Sequence, residues 1–317
     1  MEVLKMSVKK IQFLNEAAYS LENEEVEVIV LPSQGSNLIS IRDKKTDTEI
    51  LRTPKTKEEY ETRKMVFGTP VLFPPNRIED ATFEYNGRVY ELEMNRAKED
   101  VHIHGFVHDK EWTVLETDDT IPRIKTEIRS SEHPGILSQF PHDFTITMTI
   151  EIQGTEVIQT IEITNNGDSL MPCGIGYHTT FQFPDSAELR IDVQERWRLN
   201  ERHLPTGELE NVQNKDEFSQ GTRLSGVALD DVFVMTENKT AAIDLPGLDV
   251  SYSVSDRFTQ WVLFTASGNE NLLAIEPYSW VTNAPNLKQL PKRLTGLDDI
   301  QPKEKKDYVS RFKIKRK

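Results

Sequence analysis

The sequence predicts an all-β chain of antiparallel sheets stacked face to face, and three observations carry that prediction. Apolar residues recur at every second position, the strand period, in many short segments. Tight-turn signals such as Asn86-Gly87 separate those segments. Strands follow strands with few helical stretches between them, which argues against a parallel βαβ sheet or a TIM barrel. At 317 residues one all-β domain is large. No internal repeat, Gly/Ser linker or low-complexity block divides the chain, so the reading is a single domain over residues 1–317.

The elements follow in order. Residues 83–85 and 89–92 flank Asn86-Gly87, a strong hairpin signal. Phe144, Ile146, Met148, Ile150 and Ile152 alternate with Thr145, Thr147, Thr149 and Glu151, giving one apolar and one polar face. Gln153-Gly154 then reads as a turn into residues 157–164, and Asn165-Asn166-Gly167-Asp168 as the next turn. Leu189, Ile191 and Val193 alternate again, as do Tyr308, Ser310, Phe312 and Ile314. Helical signals are confined to residues 55–64, after Pro54, and a turn within 288–294. The more polar stretches 60–69 and 203–222 read as connections.

The balance of 52 acidic to 38 basic residues, a net charge of −14, argues against nucleic acid or an anionic membrane as main partner. The basic end 313–317 is too short to overturn this and reads as a solvated chain end. The lone Cys173 permits no internal disulfide and sits in an apolar stretch as a small core residue. The N-terminus mixes Glu2, Lys5, Lys9 and Lys10 and offers no apolar run fit for a signal peptide. No segment approaches the roughly 20 apolar residues of a membrane helix. The expectation is a cytoplasmic protein whose partner is a small molecule, with its oligomeric state left open.

Five segments could carry chemistry. In Pro74-Pro75-Asn76-Arg77-Ile78 two prolines hold the chain extended before an arginine whose fixed donors suit hydroxyls. The bland alternative pairs Arg77 with a carboxylate such as Glu79. His102-Ile103-His104-Gly105 places two histidines on one side of a strand, the geometry of a chelating pair. Zinc needs three or four ligands, however, and no Cys or Asp/Glu cluster of metal-site spacing accompanies them, so no metal is expected; a satisfied structural pair and a metal-free substrate-binding histidine are the other readings. In Tyr177-His178-Thr179-Thr180 a histidine between an aromatic and hydroxyls can act as an acid near neutral pH, or be a half-buried core residue. Asp230-Asp231 precede an apolar strand; either could accept hydrogen bonds from hydroxyls, or both could form a solvated turn. Glu276 closes the apolar run Leu272-Leu273-Ala274-Ile275, where an unpaired charge costs several kcal/mol and so needs a partner or a role. Tyr278 and Trp280 could offer rings to the C–H face of a sugar, or pack in the core.

These segments, in this order, resemble the aldose 1-epimerase (galactose mutarotase) superfamily. The likeness runs from Pro32-Ser33-Gln34-Gly35 to the last strand. It rests on Arg77-Ile78, His104-Gly105 with Trp112, the His178 segment, Asp230 with Phe233, and Glu276-Pro277 with Asn283 to Asn286. The resemblance implies a large antiparallel β-sandwich and interconversion of the α and β anomers of an aldose. It implies Glu276 as the base, His178 as the acid, and Arg77, His104 and Asp230 as sugar-binding residues. Both steps are proton transfers, so no organic cofactor is implied. Phe106 stands where galactose mutarotases usually have a second glycine. The spacing from His104 to Trp112 looks more like the hexose-6-phosphate epimerase branch, which usually has arginine where His108 stands. A free hexose is the first expectation, because Arg77 is the one guanidinium in the site segments; Arg96, Lys98 and Lys110 lie nearby in sequence. A hexose-6-phosphate 1-epimerase and a non-catalytic sugar-binding protein are the alternatives. The roles of His102 and His108 stay open.

Overall fold

The computed structural model describes residues 6–317; Glu2 and Lys5, named above for the N-terminus, lie outside the described residues. Three antiparallel sheets dominate. Strands Ser7–Phe13, Glu16–Glu22, Val26–Leu31, Asn37–Asp43 and Thr48–Glu49 pair in chain order. An eight-stranded sheet runs from Thr113–Asp118 through Arg123–Arg129, Phe144–Gln153 and Glu156–Asn165 to Lys305–Arg316, Leu248–Val254, Thr240–Leu245 and Glu188–Ile191. A second runs from Pro205–Asn211 through Val193–Leu199, Asp230–Met235, Gln260–Phe264 and Leu272–Tyr278 to Gly176–Tyr177 and Val71–Leu72, with Thr180–Gln182 also on Leu272–Tyr278. This is the β-sandwich that the alternation predicts.

The pattern that predicts each strand also packs it. Phe144, Ile146, Met148, Ile150 and Ile152 are all buried, each contributing roughly 1.5–3 kcal/mol of hydrophobic stabilisation. Tyr308, Ser310, Phe312 and Ile314 bury the same way along the last strand. The two large sheets meet through aromatics. Tyr252 and Phe312 of one sheet lie 5.6 and 6.0 Å, by ring centroid, from Phe181 of the other. At Asn86-Gly87 both residues have positive φ (49° and 75°) and Tyr85 pairs with Arg88. That is the two-residue hairpin whose turn fits the strand twist.

Four details differ from the sequence reading. The alternation Leu189, Ile191, Val193 is continuous, yet the chain changes sheets at Asp192, since Glu188–Ile191 and Val193–Leu199 belong to different large sheets. The helix expected over 55–64 is Lys57–Thr62, capped by the Thr56 hydroxyl, and gives way to a 3-10 turn over Lys64–Val66. The helical turn expected within 288–294 is Lys292–Thr295. The stretch 203–222, expected as a connection, instead holds the strand Pro205–Asn211 and the short helix Lys215–Gln220, which, like Pro134–Gln139, carries no apolar period long enough to announce it. Cys173 is buried, as its apolar neighbours predict. No helix among the described residues is long and apolar enough to cross a membrane.

Candidate active site

The strand Leu272–Tyr278 is buried along its whole length, and its two faces have different surroundings. Leu273 and Ile275 enter the main core between the sheets. Glu276 and Tyr278 share the opposite face with Val262 and Val232, and Val262 is the cross-strand partner of Glu276. On that face a cavity of about 420 Å³ opens, and Arg77, His104, His178, Asp230 and Glu276 all line it. Five residues spread over 200 positions of sequence therefore meet around one volume large enough for a small ligand.

Glu276 is 3% exposed. Its Oε2 accepts a 2.5 Å hydrogen bond from the Tyr278 hydroxyl, which in turn accepts from Asn76 Nδ2 at 3.3 Å. Burial raises its carboxyl to about 8; the Tyr278 hydroxyl opposes the shift, the Asp230 charge adds to it, and Arg77 opposes it. At neutral pH the unliganded carboxyl holds its proton.

His178 sits between Gly176–Tyr177 and Thr180–Gln182, pinned by its backbone N–H donating to Pro70 O at 2.9 Å. Its Nε2 lies 3.3 Å from Glu276 Oε1, and its Nδ1 lies 3.3 Å from the Thr180 hydroxyl. Burial lowers the imidazole to about 4. Low polarity drives both groups to their neutral forms, so near pH 7 the two share one proton, on the carboxyl side.

Arg77 and His104 come from the same end of a short ladder, one from each strand. Arg77–Glu79 pairs with Val101–Ile103, Arg77 opposite Ile103. Asn76 and His104 flank that ladder with φ of 53° and 67°, and His104 N–H donates to Asn76 O at 2.9 Å. Positive φ at a non-glycine residue is uncommon and marks a backbone held by its surroundings. Gly105 follows at φ 70°, and a Cβ there would stand 2.1 Å from Phe73 O, so only glycine fits against the Pro74 segment. The His104 ring meets His178 edge-on at 5.6 Å between centroids. Burial, and then repulsion by any charge on His178 or His108 and by Arg77 and Arg96, hold it well below the usual imidazole range, and among the described residues its buried Nδ1 has no hydrogen-bond partner.

The carboxylate beside Arg77 is Glu99 rather than Glu79. Arg77 Nε donates to Glu99 Oε2 at 2.8 Å, Nη1 to Asn76 Oδ1 at 3.1 Å, and Nη2 stands 4.0 Å from Asp230 Oδ2. Glu79 is held by Asn283 and Arg202 instead. Of the adjacent acids, Asp230 faces the cavity, while Asp231 points to the other side of the strand and meets Arg196 Nη1 at 3.1 Å.

Several expectations fall elsewhere. His102 Nδ1 bonds to Glu93 O at 2.7 Å and its ring lies against Phe106, while His108 lies outside the cavity lining. Among the described residues no three His, Cys, Asp or Glu side chains gather as a metal site. Trp112 is buried and its Nε1 donates to Val107 O. Trp280 packs in the core cluster with Val262 and Tyr278 and is not part of the cavity lining, and Tyr278 meets the carboxyl through its hydroxyl rather than presenting its ring face. The aromatic in the lining is Phe264. Arg63, Lys64 and Arg96 also line the cavity, whereas Lys98 and Lys110 do not. Arg96 is flagged by its place before the His102 strand; Arg63 and Lys64 arrive from the junction of helix Lys57–Thr62 and the following 3-10 turn, with no motif to mark them.

Comparison with known proteins gives a consistent result. Residues 17–289 match the profile of a family described as aldose 1-epimerase. An aldose 1-epimerase of Haemophilus influenzae is 24% identical over 275 residues, 79% of this chain and 78% of that protein. An uncharacterized protein of Escherichia coli, YphB, is 25% identical over 174 residues, 55% of this chain and only 56% of its own length. The crystal structure of a galactose mutarotase-like protein from Clostridium acetobutylicum superposes with a TM-score of 0.93 at 25% identity, covering 99% of both chains.

Proposed function

Because the chain belongs to the aldose 1-epimerase family, we propose that it interconverts the α and β anomers of a free hexose by acid–base ring opening and closure. The observation that carries this reading is the pair His178 and Glu276, 3.3 Å apart at the wall of a cavity that Arg77, His104 and Asp230 also line. Hydroxyl donors from an entering sugar stabilise the Glu276 carboxylate. Its proton then passes across to His178, giving the base and the acid the reaction needs without change in total proton count. Glu276 takes the proton of the C1 hydroxyl. The C1–O5 bond breaks, and His178 gives its proton to O5, leaving an open-chain aldehyde. After rotation about C1–C2, His178 takes the O5 proton back while O5 attacks the other face of C1, and Glu276 returns its proton to the C1 oxygen. Arg77, His104 and Asp230 hold the hydroxyls and the ring oxygen in register. Every step is a proton transfer between the sugar and these two side chains, so neither a metal nor a cofactor is invoked.

A hexose 6-phosphate is the second reading, and the observation favouring it is Arg63, Lys64 and Arg96 in the cavity wall. Arg63 is already paired to Glu270, and Lys64 to Glu61 at 3.0 Å. Arg96 alone of the three has no ion-pair partner among the described residues. One unpaired guanidinium is short of the fork of donors a dianion usually gathers, so the neutral sugar stands first. The test is polarimetry of freshly dissolved α-glucose and α-galactose with and without the protein. Acceleration of neither, with glucose 6-phosphate accelerated, selects the second reading. Binding of a sugar without acceleration of any selects a non-catalytic sugar-binding protein.

A further inference from the structure

The connection 200–204, between strands Val193–Leu199 and Pro205–Asn211, is built as a rigid unit. Asn200 N–H donates to Leu204 O at 2.9 Å, and His203 N–H to Asn200 O at 2.9 Å. The Asn200 side-chain oxygen accepts from the backbone of Arg202 at 2.9 Å and of Leu204 at 3.1 Å. The residues on either side of His203 dock this loop onto the segment that carries Arg77 and His104. Leu204 is buried against Val101 and Ile103. Arg202 donates to Glu99 O at 2.9 Å, to Asp100 O at 2.6 Å and to Asp80 Oδ1 at 2.7 Å. Between these anchors His203 is held at φ 57°, a conformation uncommon for a side chain of its size. Its Nδ1 then stands 3.1 Å from Asp230 Oδ2. Nothing in the loop's own hydrogen bonding needs that side chain.

We propose that His203 is a positioning residue for sugar binding. It engages Oδ2 of Asp230, together with the more distant Arg77, and so leaves Oδ1 as the acceptor for a sugar hydroxyl. The inference rests on the epimerase reading only in assuming that the cavity takes a polyhydroxylated ligand. An Asp at a strand start is otherwise free to turn into solvent, and a fixed acceptor loses less freedom on binding. His203 touches no reacting atom in this arrangement, so its effect belongs in KM and not in kcat.

The test replaces His203 with Gly, which adopts the left-handed backbone without strain, and with Asn, which keeps an N–H donor at the Nδ1 position and tolerates the same φ. With α-galactose or α-glucose, whichever the wild type exchanges, His203→Gly should raise KM about tenfold, as loss of a contact to a charged group does at a half-exposed site. The kcat should stay within about twofold, and His203→Asn should recover most of the KM. In an Asp230→Asn background the same His203→Gly change should alter KM by less than about twofold. Calorimetric titration with the same two sugars runs in parallel. If the wild type binds a sugar but exchanges none, the epimerase reading fails, and His203 is judged by its effect on Kd. An unchanged KM and Kd in His203→Gly overturns the proposal while leaving the epimerase reading intact. So does an equal effect in the Asp230→Asn background, or a loss confined to kcat. Absence of both binding and exchange overturns both.

Discussion

Replacing Glu276 with Gln isolates the base from the shape of the site. The amide oxygen can still accept from the Tyr278 hydroxyl, and the side chain still fills its buried place beside Val262. What is lost is the ability to take a proton from the C1 hydroxyl. General-base catalysis contributes ~10²–10⁴-fold, which is roughly 3–5 kcal/mol of barrier. The expected result is a fall of that size in kcat with sugar affinity kept within a few-fold. The pH dependence sharpens the test. The productive state of the pair holds one proton, so wild-type kcat/KM should fall below about pH 4, where His178 takes a second proton, and above about pH 8, where the Glu276 proton is lost. In Glu276→Gln the alkaline limb should vanish. Stability follows with a definite sign. The folded carboxyl titrates near 8 against an ordinary 4.5, so its contribution is fully present below about pH 4.5 and is lost as pH rises through about 8. The whole difference is roughly 5 kcal/mol at most, at 1.36 kcal/mol per unit. The melting temperature of Glu276→Gln should therefore gain on the wild type between pH 5 and pH 9. Anomer exchange is read by NMR saturation transfer between the anomeric protons, and stability by thermal melts across that range. Wild-type turnover in Glu276→Gln, or an alkaline limb that persists, refutes the assignment of the base.

His178→Asn should lower kcat by ~10²-fold or more and abolish the acid limb near pH 4; a mutant that keeps both the rate and that limb moves the acid role elsewhere, with His104 the next residue to test. Gly105→Ala should cost about 1–2 kcal/mol from its left-handed φ alone, with a further penalty from the 2.1 Å approach to Phe73 O; an unchanged melting temperature would contradict that packing. Glucose and galactose should be exchanged with kcat/KM at least equal to that of glucose 6-phosphate measured side by side. A clear preference for the phosphate would hand the cavity wall of Arg63, Lys64 and Arg96 a role that the ion pairs of Arg63 and Lys64 argue against.

The chain's own order made much of the fold legible. Period-two alternation at Phe144–Gln153 and Lys305–Arg316 states which residues face the core, because strand geometry leaves no other choice. Asn86-Gly87 states its hairpin because only residues tolerant of positive φ make that turn. Glu276 stood out because a carboxylate at the end of a buried strand needs a reason to be there. Helix limits were less legible, since segments of four to six residues draw little stability from propensity and form where packing and caps allow.

What sequence alone determined, then, was the strands with the clearest alternation, their inward faces, and the residue types able to move protons and hold hydroxyls. Tertiary structure decided everything that depends on which strands become neighbours. It chose Asp230 over Asp231 by the face of the strand, Glu99 over Glu79 as the partner of Arg77, and the hydroxyl rather than the ring face of Tyr278 as what meets Glu276. It also brought His203 to Asp230 from 27 positions away along the chain, and Arg63 and Lys64 to the cavity wall. Local patterns act over a few residues of one strand. Pairing between distant strands, and the burial that shifts His178 and Glu276 to their neutral forms, exist only once the sheets have closed on each other.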